Sequence, residues 1–245
     1  IVESGVLIGP GCRIGPHVCI ASGVILGARN VIHAGCVIGD TPQDLKHKGQ
    51  PSQVVIGDDN TFREHVTIHR SAVPGGVTRV GSGNYLMASS HVGHDAILGD
   101  KVILANGALL AGHAVVGDRA FISGNCLVHQ FTRVGTLALM QGGSAISKDL
   151  PPFTIARGAN QICGLNIVGL RRAGMLPEER LELKRLYRLL FRRTGGWSEA
   201  IAEAGALCVR PPSQALIAFL VQSKRGVCSD ISQFKSPDQA MDGAG

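Results

Sequence analysis

An aliphatic side chain recurs at every sixth position from Val2 to Ile38, returns at Ile56, Phe62 and Ile68, and runs on from Val80 to Ile146. Of these 22 lead positions only Phe62 and Met140 depart from Ile, Val or Leu, and ten are followed directly by Gly, as in Ile8-Gly9, Val92-Gly93 and Val134-Gly135. A period of six is foreign to an α-helix, whose apolar face repeats every 3.6 residues, and Gly in each turn would cost a helix roughly 1 kcal/mol apiece. It suits a three-sided coil instead. Each side is a strand of about five or six residues whose lead aliphatic points inward, and small residues turn the corners. Three hexads close one coil, coils stack at the strand spacing of about 4.8 Å, and the chain should hold about seven of them.

Residues 40–53 and 71–79 interrupt the period with Pro, Gly and polar side chains, and they read as loops ejected from the coil. After Ile146 the pattern changes: 27 of the 33 glycines lie at or before Gly174. Leu183, Leu186, Tyr187 and Leu190 then take the i, i+3, i+4, i+7 spacing of a helix with one buried face, predicted over 177–193. A second helix is expected to start from Ser198 as N-cap and a third to span 212–225, stopped by Gly226, while 227–245 reads as a polar, frayed tail. The predicted architecture is a β-solenoid over 1–153 followed by a small α-helical C-terminal domain over 154–245.

Composition sharpens this picture. Ten aromatic residues in 245 leave a core that must be assembled from many small aliphatic contacts, and 44% hydrophobic residues argue against disorder. No apolar run approaches the roughly 18 residues that span a bilayer, the longest being 215–221, so no stable membrane insertion is expected. The residues after Ile1 lack a basic segment leading into an apolar one, so no signal peptide is read. Seven cysteines without a Cys-x-x-Cys pair suggest reduced thiols and a cytoplasmic setting. A net charge of +6 points to an anionic partner or substrate without choosing one.

Histidines carry the first chemical signal. His94, His113 and His129 belong to the hexads led by Val92, Leu110 and Val128, whose leads are 18 residues apart, so they share one side of three successive coils. His91 sits at the edge of that side, and the cluster should line an external groove. Converging imidazoles could hold zinc, as in β-helical carbonic anhydrases that take histidines from neighbouring subunits, which would make a metal-dependent hydratase. Alternatively, Asp95 directly after His94 could orient the imidazole and support its protonation, which suits a general base better than a ligand set.

The segments Gln43-Asp44-Leu45-Lys46, Val66-Thr67-Ile68-His69-Arg70, His91-Val92-Gly93-His94-Asp95, Ile103-Leu104-Ala105-Asn106, Leu110-Ala111-Gly112-His113 and Val128-His129-Gln130-Phe131 occur in this order. Together with Asp149-Leu150-Pro151-Pro152 and the helical C-terminal region, they resemble the bacterial UDP-N-acetylglucosamine acyltransferases that begin lipid A synthesis. The resemblance covers nearly the whole chain. It implies a left-handed parallel β-helix assembled as a homotrimer, with sites between subunits. Family chains carry further N-terminal hexads, so the sequence is expected to be truncated there. The implied reaction moves an (R)-3-hydroxyacyl group from acyl carrier protein to the 3-hydroxyl of UDP-N-acetylglucosamine, with no metal or other cofactor.

Carried over residue by residue, the resemblance makes His94 the general base, Asp95 its orienting partner and Gly112 the oxyanion donor through its backbone N–H. His69, His91, His113, His129 and Gln130 would contact sugar and acyl groups, with Asp44 and Lys46 reaching the ligand from a neighbouring subunit. Asn166 and Arg172 match positions for uracil and phosphate. Val168 and Ala173 replace a Glu and an Arg of the family pattern, which leaves a 3-amino sugar nucleotide open as acceptor. Gly142 matches the position that measures acyl length, and its small size favours a longer chain. Eight basic residues against three acidic ones between Arg171 and Arg193 include Lys184, Arg188 and Arg192 at four-residue spacing. With Arg185, these form the expected docking stripe for acidic acyl carrier protein. Few aromatics are interleaved, so nucleic acid is not the expected partner.

Overall fold

The computed structural model describes residues 1–192 and 196–233. From the first hexad to Ile146 the chain winds as a three-sided parallel β-helix, and each side stacks into its own sheet of seven, ten or seven strands. Partners are parallel and 18 residues apart wherever the period is unbroken, as in Leu7 with Ile25 and Val92 with Leu110. Lead residues from Ile20 to Ile146 are at most 3% exposed and fill the bore of the coil. Each such burial contributes about 1.5–3 kcal/mol, which is how a core poor in aromatics holds. Val2, Ile8 and Ile14 in the first coil remain 52%, 40% and 41% exposed, with no coil on their outer side among the described residues.

Two local expectations need correction. Most sides carry ladder pairing over two residues, the lead and the residue before it, rather than five or six. Nor are the corners turned mainly by small residues. In nineteen hexads the residue three past the lead has positive φ, and only seven of these are Gly; Arg29 (φ 55), Asp95 (φ 61), His113 (φ 60) and Arg119 (φ 56) are among the rest. The glycine directly after the lead answers a different demand. A Cβ on Gly81 would lie 2.5 Å from Gly99 O, and one on Gly27 would lie 2.7 Å from Gly57 C, so backbone of adjacent coils meets where no side chain fits.

Pairing continues past the expected boundary at residue 153. Strand 154–156 joins the ten-stranded sheet parallel to Leu139–Met140, and Gln161–Leu165 folds back antiparallel to it. Helices α1 (Ile167–Arg172), α2 (Pro177–Phe191), α3 (Trp197–Leu207) and α4 (Pro211–Val221) come next. Leu183, Leu186, Tyr187 and Leu190 are buried on α2 as the spacing predicts. Arg193, the expected last residue of that helix, lies outside the described residues.

Helix α3 starts from Gly196, which puts Ser198 inside its first turn rather than at its cap. Helix α4 ends four residues before Arg225 because the chain beyond it is claimed by the coil. Ser223 Oγ–H donates to the buried Asp149 at 2.9 Å, and Arg225 Nε–H donates to Ser147 O at 3.1 Å. Asp149 also accepts from Arg133, whose guanidinium stacks over Phe219 at 4.2 Å, so one buried carboxylate ties helix to coil.

Residues 227–233 are not a frayed tail. Ser229–Asp230 pairs with Gln161–Ile162, and Cys228 and Asp230 are 1% and 0% exposed. Residues 234–245 lie outside the described residues. No helix among the described residues is long and apolar enough to cross a membrane.

Candidate active site

One seven-stranded sheet carries the strands at 67–69, 91–92, 109–110, 127–128 and 145–146, and its outer face forms the wall of a cavity of about 600 Å³. His69, His91, His94, Gly112, His129 and Gln130 line it, all expected from the sequence. Leu109, Leu127 and Ala145, each directly before a lead, stack down the same wall from the histidines towards Ala159 and Asn160. The groove is therefore polar at one end and apolar along its length.

At the polar end, His94 Nδ1 lies 2.8 Å from Asp95 Oδ2, and both side chains are mostly buried. Three hydrogen bonds besides that to His94 hold Asp95. Its own N–H donates to Thr78 Oγ1 at 2.8 Å, Ala72 N–H donates to Oδ2 at 3.0 Å, and Ser71 Oγ–H donates to Oδ1. Burial by itself would raise this carboxyl, but the bonds from Ser71, His94 and Ala72 outweigh it and hold Asp95 below the usual carboxylate range. With Nδ1 turned to an ionised carboxylate, Nδ1 carries the ring proton and Nε2 is the free basic nitrogen.

The opposite edge of the His94 ring lies against Gly112, where a Cβ would come within 2.5 Å of both Cε1 and Nε2. The Gly112 backbone N–H has no hydrogen-bond partner among the described residues. His91 has its Nδ1 2.8 Å from Thr67 Oγ1 and stands edge-on to His69 with ring centroids 5.0 Å apart. Burial, followed by the neighbouring His69 and His94, pushes the His91 pKa down to about 4, so it is neutral near pH 7. Burial also lowers His69.

Other expected residues sit apart from the groove. His113 lies around the corner from it, edge-on to His94 with centroids 5.2 Å apart, 3.7 Å from Asp95 and stacked on Phe131 at 4.4 Å. It occupies the positive-φ corner position, which aims its side chain away from the wall. Asp44 and Lys46 do not line this chain's own cavity, although Gln43 beside them does. Asn166 caps α1 by accepting from Gly169 N–H and donates to Leu137 O, and Arg172 is exposed on the same helix. Gly142 stands at a neighbouring corner, with a prospective Cβ 3.6 Å from Gly124 O, and the positive φ there belongs to Gly143. Lys184, Arg185 and Arg188 are exposed on α2. Arg192 is not a free member of that stripe: its Nε–H donates to the buried Asp230 at 3.2 Å and its guanidinium lies over Tyr187.

Ser71, Ala72 and Thr78 have no role legible in the sequence, where their only signal is the break in period over 71–79, and Thr67 stands there only as part of a family motif. Among the described residues, His94, Asp95 and His113 bring ligand atoms within 4.8 Å of one another, a geometry that could hold a metal ion. Against that use, both oxygens of Asp95 already accept hydrogen bonds, and His94 spends Nδ1 on the same carboxylate.

The stacked coil is built of hexapeptide repeats, and residues 5–40 match the family model of bacterial transferase hexapeptide repeats, which places the chain among hexapeptide-repeat transferases. Residues 149–228 match the model of UDP-N-acetylglucosamine O-acyltransferase, domain 2. An acyl-[acyl-carrier-protein]--UDP-N-acetylglucosamine O-acyltransferase of Anaeromyxobacter dehalogenans is 44% identical over 93% of this chain and 96% of its own. One from Alkalilimnicola ehrlichii is 46% identical over 78% of this chain and 75% of its own. The solved UDP-N-acetylglucosamine acyltransferases of Francisella novicida (TM-score 0.86, 32% identity, all of both chains) and Bacteroides fragilis (TM-score 0.86, 37% identity, 92% of this chain and 96% of that one) share the fold. The chain belongs to the UDP-N-acetylglucosamine O-acyltransferase family.

Proposed function

We propose that this chain transfers an (R)-3-hydroxyacyl group from acyl carrier protein to the 3-hydroxyl of UDP-N-acetylglucosamine, the first acylation of lipid A biosynthesis. Family membership supports the reaction, and the His94–Asp95 pair against Gly112 supports the mechanism. A sugar hydroxyl is a poor nucleophile at neutral pH, so the step needs a base within reach. His94 Nε2 takes the hydroxyl proton as the oxygen attacks the thioester carbonyl, and Asp95 stabilises the resulting imidazolium. The tetrahedral oxyanion is held by Gly112 N–H. As the carbon–sulfur bond breaks, His94 returns the proton to the departing thiolate.

The rest of the assignment extends the same reading. The coil is left-handed and the protein a cytoplasmic homotrimer, in which Asp44 and Lys46 of one subunit reach the groove of the next. The coil runs on into strand 154–156 and the helices between Ile167 and Val221 form the C-terminal domain, with Asn166 and Arg172 towards the nucleotide. His113 acts on the pair from behind while His69, His91, His129 and Gln130 face the ligand. By the family resemblance Gly142 limits the acyl chain, although it does not line this chain's own cavity, and Lys184, Arg185 and Arg188 dock the acidic carrier protein.

Incubating the protein with acyl carrier proteins of several acyl lengths and with UDP-N-acetylglucosamine, then weighing the products, tests the reaction. An ester product that forms at the same rate after chelation is expected. Transfer only to a 3-amino sugar nucleotide would change the acceptor, and activity lost to chelator and restored by zinc would turn the His94–Asp95–His113 cluster into a metal site.

A further inference from the structure

The hexad led by Ile68 should turn its corner at residue 71, three past the lead, but there the chain departs into the loop 71–76. The departure sets Ser71 and Ala72 against Asp95. Ser71 is fully buried, and its oxygen accepts Val73 N–H at 3.0 Å, which leaves its single proton for one acceptor. Val73 O at 3.3 Å and the Asp95 carboxylate compete for it, and the carboxylate wins because charge-assisted bonds are about twice as strong as neutral ones. The second loop braces the first: Ser52 Oγ–H donates to Ser71 O at 2.5 Å. Gly76 completes the nest, since a Cβ there would collide with Ser71 Oγ.

We propose that Ser71 is a positioning residue for acyl transfer, setting the orientation and basicity of Asp95 and, through it, of His94. The proposal rests on the reading of His94 as general base. The Ser71 hydroxyl draws negative charge towards Oδ1 and away from Oδ2, the oxygen that faces His94. Without it, Asp95 is more basic and less firmly aimed. The His94 imidazolium then holds its proton more tightly, so the acid limb of kcat/KM moves to higher pH, and the looser aim lowers kcat on the plateau.

Ser71→Ala, Ser71→Cys, Ser71→Thr, Ser52→Ala and His94→Ala in the full chain separate the possibilities when assayed over about pH 5.5 to 9. Ser71→Ala should lower plateau kcat about ten- to 150-fold, the scale of one bond to a charged group, with both KM values within about twofold. Its acid limb should move upward. Cys, similar in size but a weak donor, should do the same, and Thr should restore both rate and limb. Ser52→Ala keeps the donor and should lower kcat less, with the limb unmoved.

If Ser71→Ala fails to fold, Ser71→Cys carries the test. A wild-type rate and limb in the folded variant, beside an inactive His94→Ala, would overturn the role of Ser71 and leave the base in place. A loss of rate with an unmoved limb would reduce Ser71 to packing and also overturn it. An active His94→Ala would sink the underlying reading instead.

Discussion

Gly112→Ala probes the site without removing any reacting group. The added Cβ would lie 2.5 Å from His94 Cε1 and Nε2, whereas carbon atoms in ordinary contact stand about 3.5 Å apart. About 1 Å must therefore be found. The Gly112 backbone has little freedom, because its carbonyl accepts Phe131 N–H from the next coil at 3.2 Å. The imidazole is the part that yields, swinging about its 2.8 Å bond to Asp95. Misplacing a reacting group by about 1 Å costs on the order of 10²-fold, or about 2.7 kcal/mol of barrier. The assay is steady-state acyl transfer with mass detection of the product, alongside circular dichroism and thermal melting. We expect kcat to fall about 100-fold with the melting temperature nearly unchanged. Gly124→Ala, whose Cβ would meet only Asn106 O at 3.4 Å, serves as the control with wild-type kcat. A folded Gly112→Ala enzyme with wild-type kcat would refute the placement of His94 against the reacting carbonyl.

Burial lowers the His91 pKa to about 4 from an ordinary 6.5, so its neutral form contributes stability that is complete above about pH 6.5 and is lost as pH falls towards 4. His91→Gln should flatten that window, read as urea midpoints at about pH 7.5 and 4.5; an unchanged slope would contradict the burial argument. Lys101→Gly (φ 56) should be neutral or stabilising, because it relieves a strained corner, whereas Gly81→Ala should destabilise clearly in thermal melts. Equal effects would undo the corner assignment. Reversing charge at Lys184, Arg185 and Arg188 together should raise KM for acyl carrier protein and weaken its salt dependence with kcat nearly intact. Gly142→Met should shift preference to a shorter acyl chain while keeping turnover with it, and equal loss for all lengths would make Gly142 structural.

The coil is legible in the sequence because its period is a one-dimensional property: an inward lead every six residues leaves its mark on composition alone. The corner is not, because Gly after a lead and Gly at a corner look alike in a sequence, and only φ separates Gly81 from Gly83 (φ 68). His94, Gly112, His91, His129 and Gln130 emerge from repeat register and family motifs, since stacking by 18 residues brings them onto one wall. His113 belongs to the right hexad for that wall, and it misses the wall because its position within the hexad is a corner. Ser71 is invisible for the opposite reason, as it belongs to a loop whose path no period specifies. Arg192 looks like one more charge on a helical stripe, and Asp230, which claims it, comes from a segment that reads as a polar tail.

Replacing the proposed base His94 with Ala and measuring kcat and KM for both substrates, in protein shown to be folded, asks whether it takes the proton from the acceptor hydroxyl. Loss of general-base catalysis should lower kcat by about 10² or more with KM changed far less. A fall of less than tenfold, or a loss confined to KM, would mean that His94 binds substrate and the base lies elsewhere.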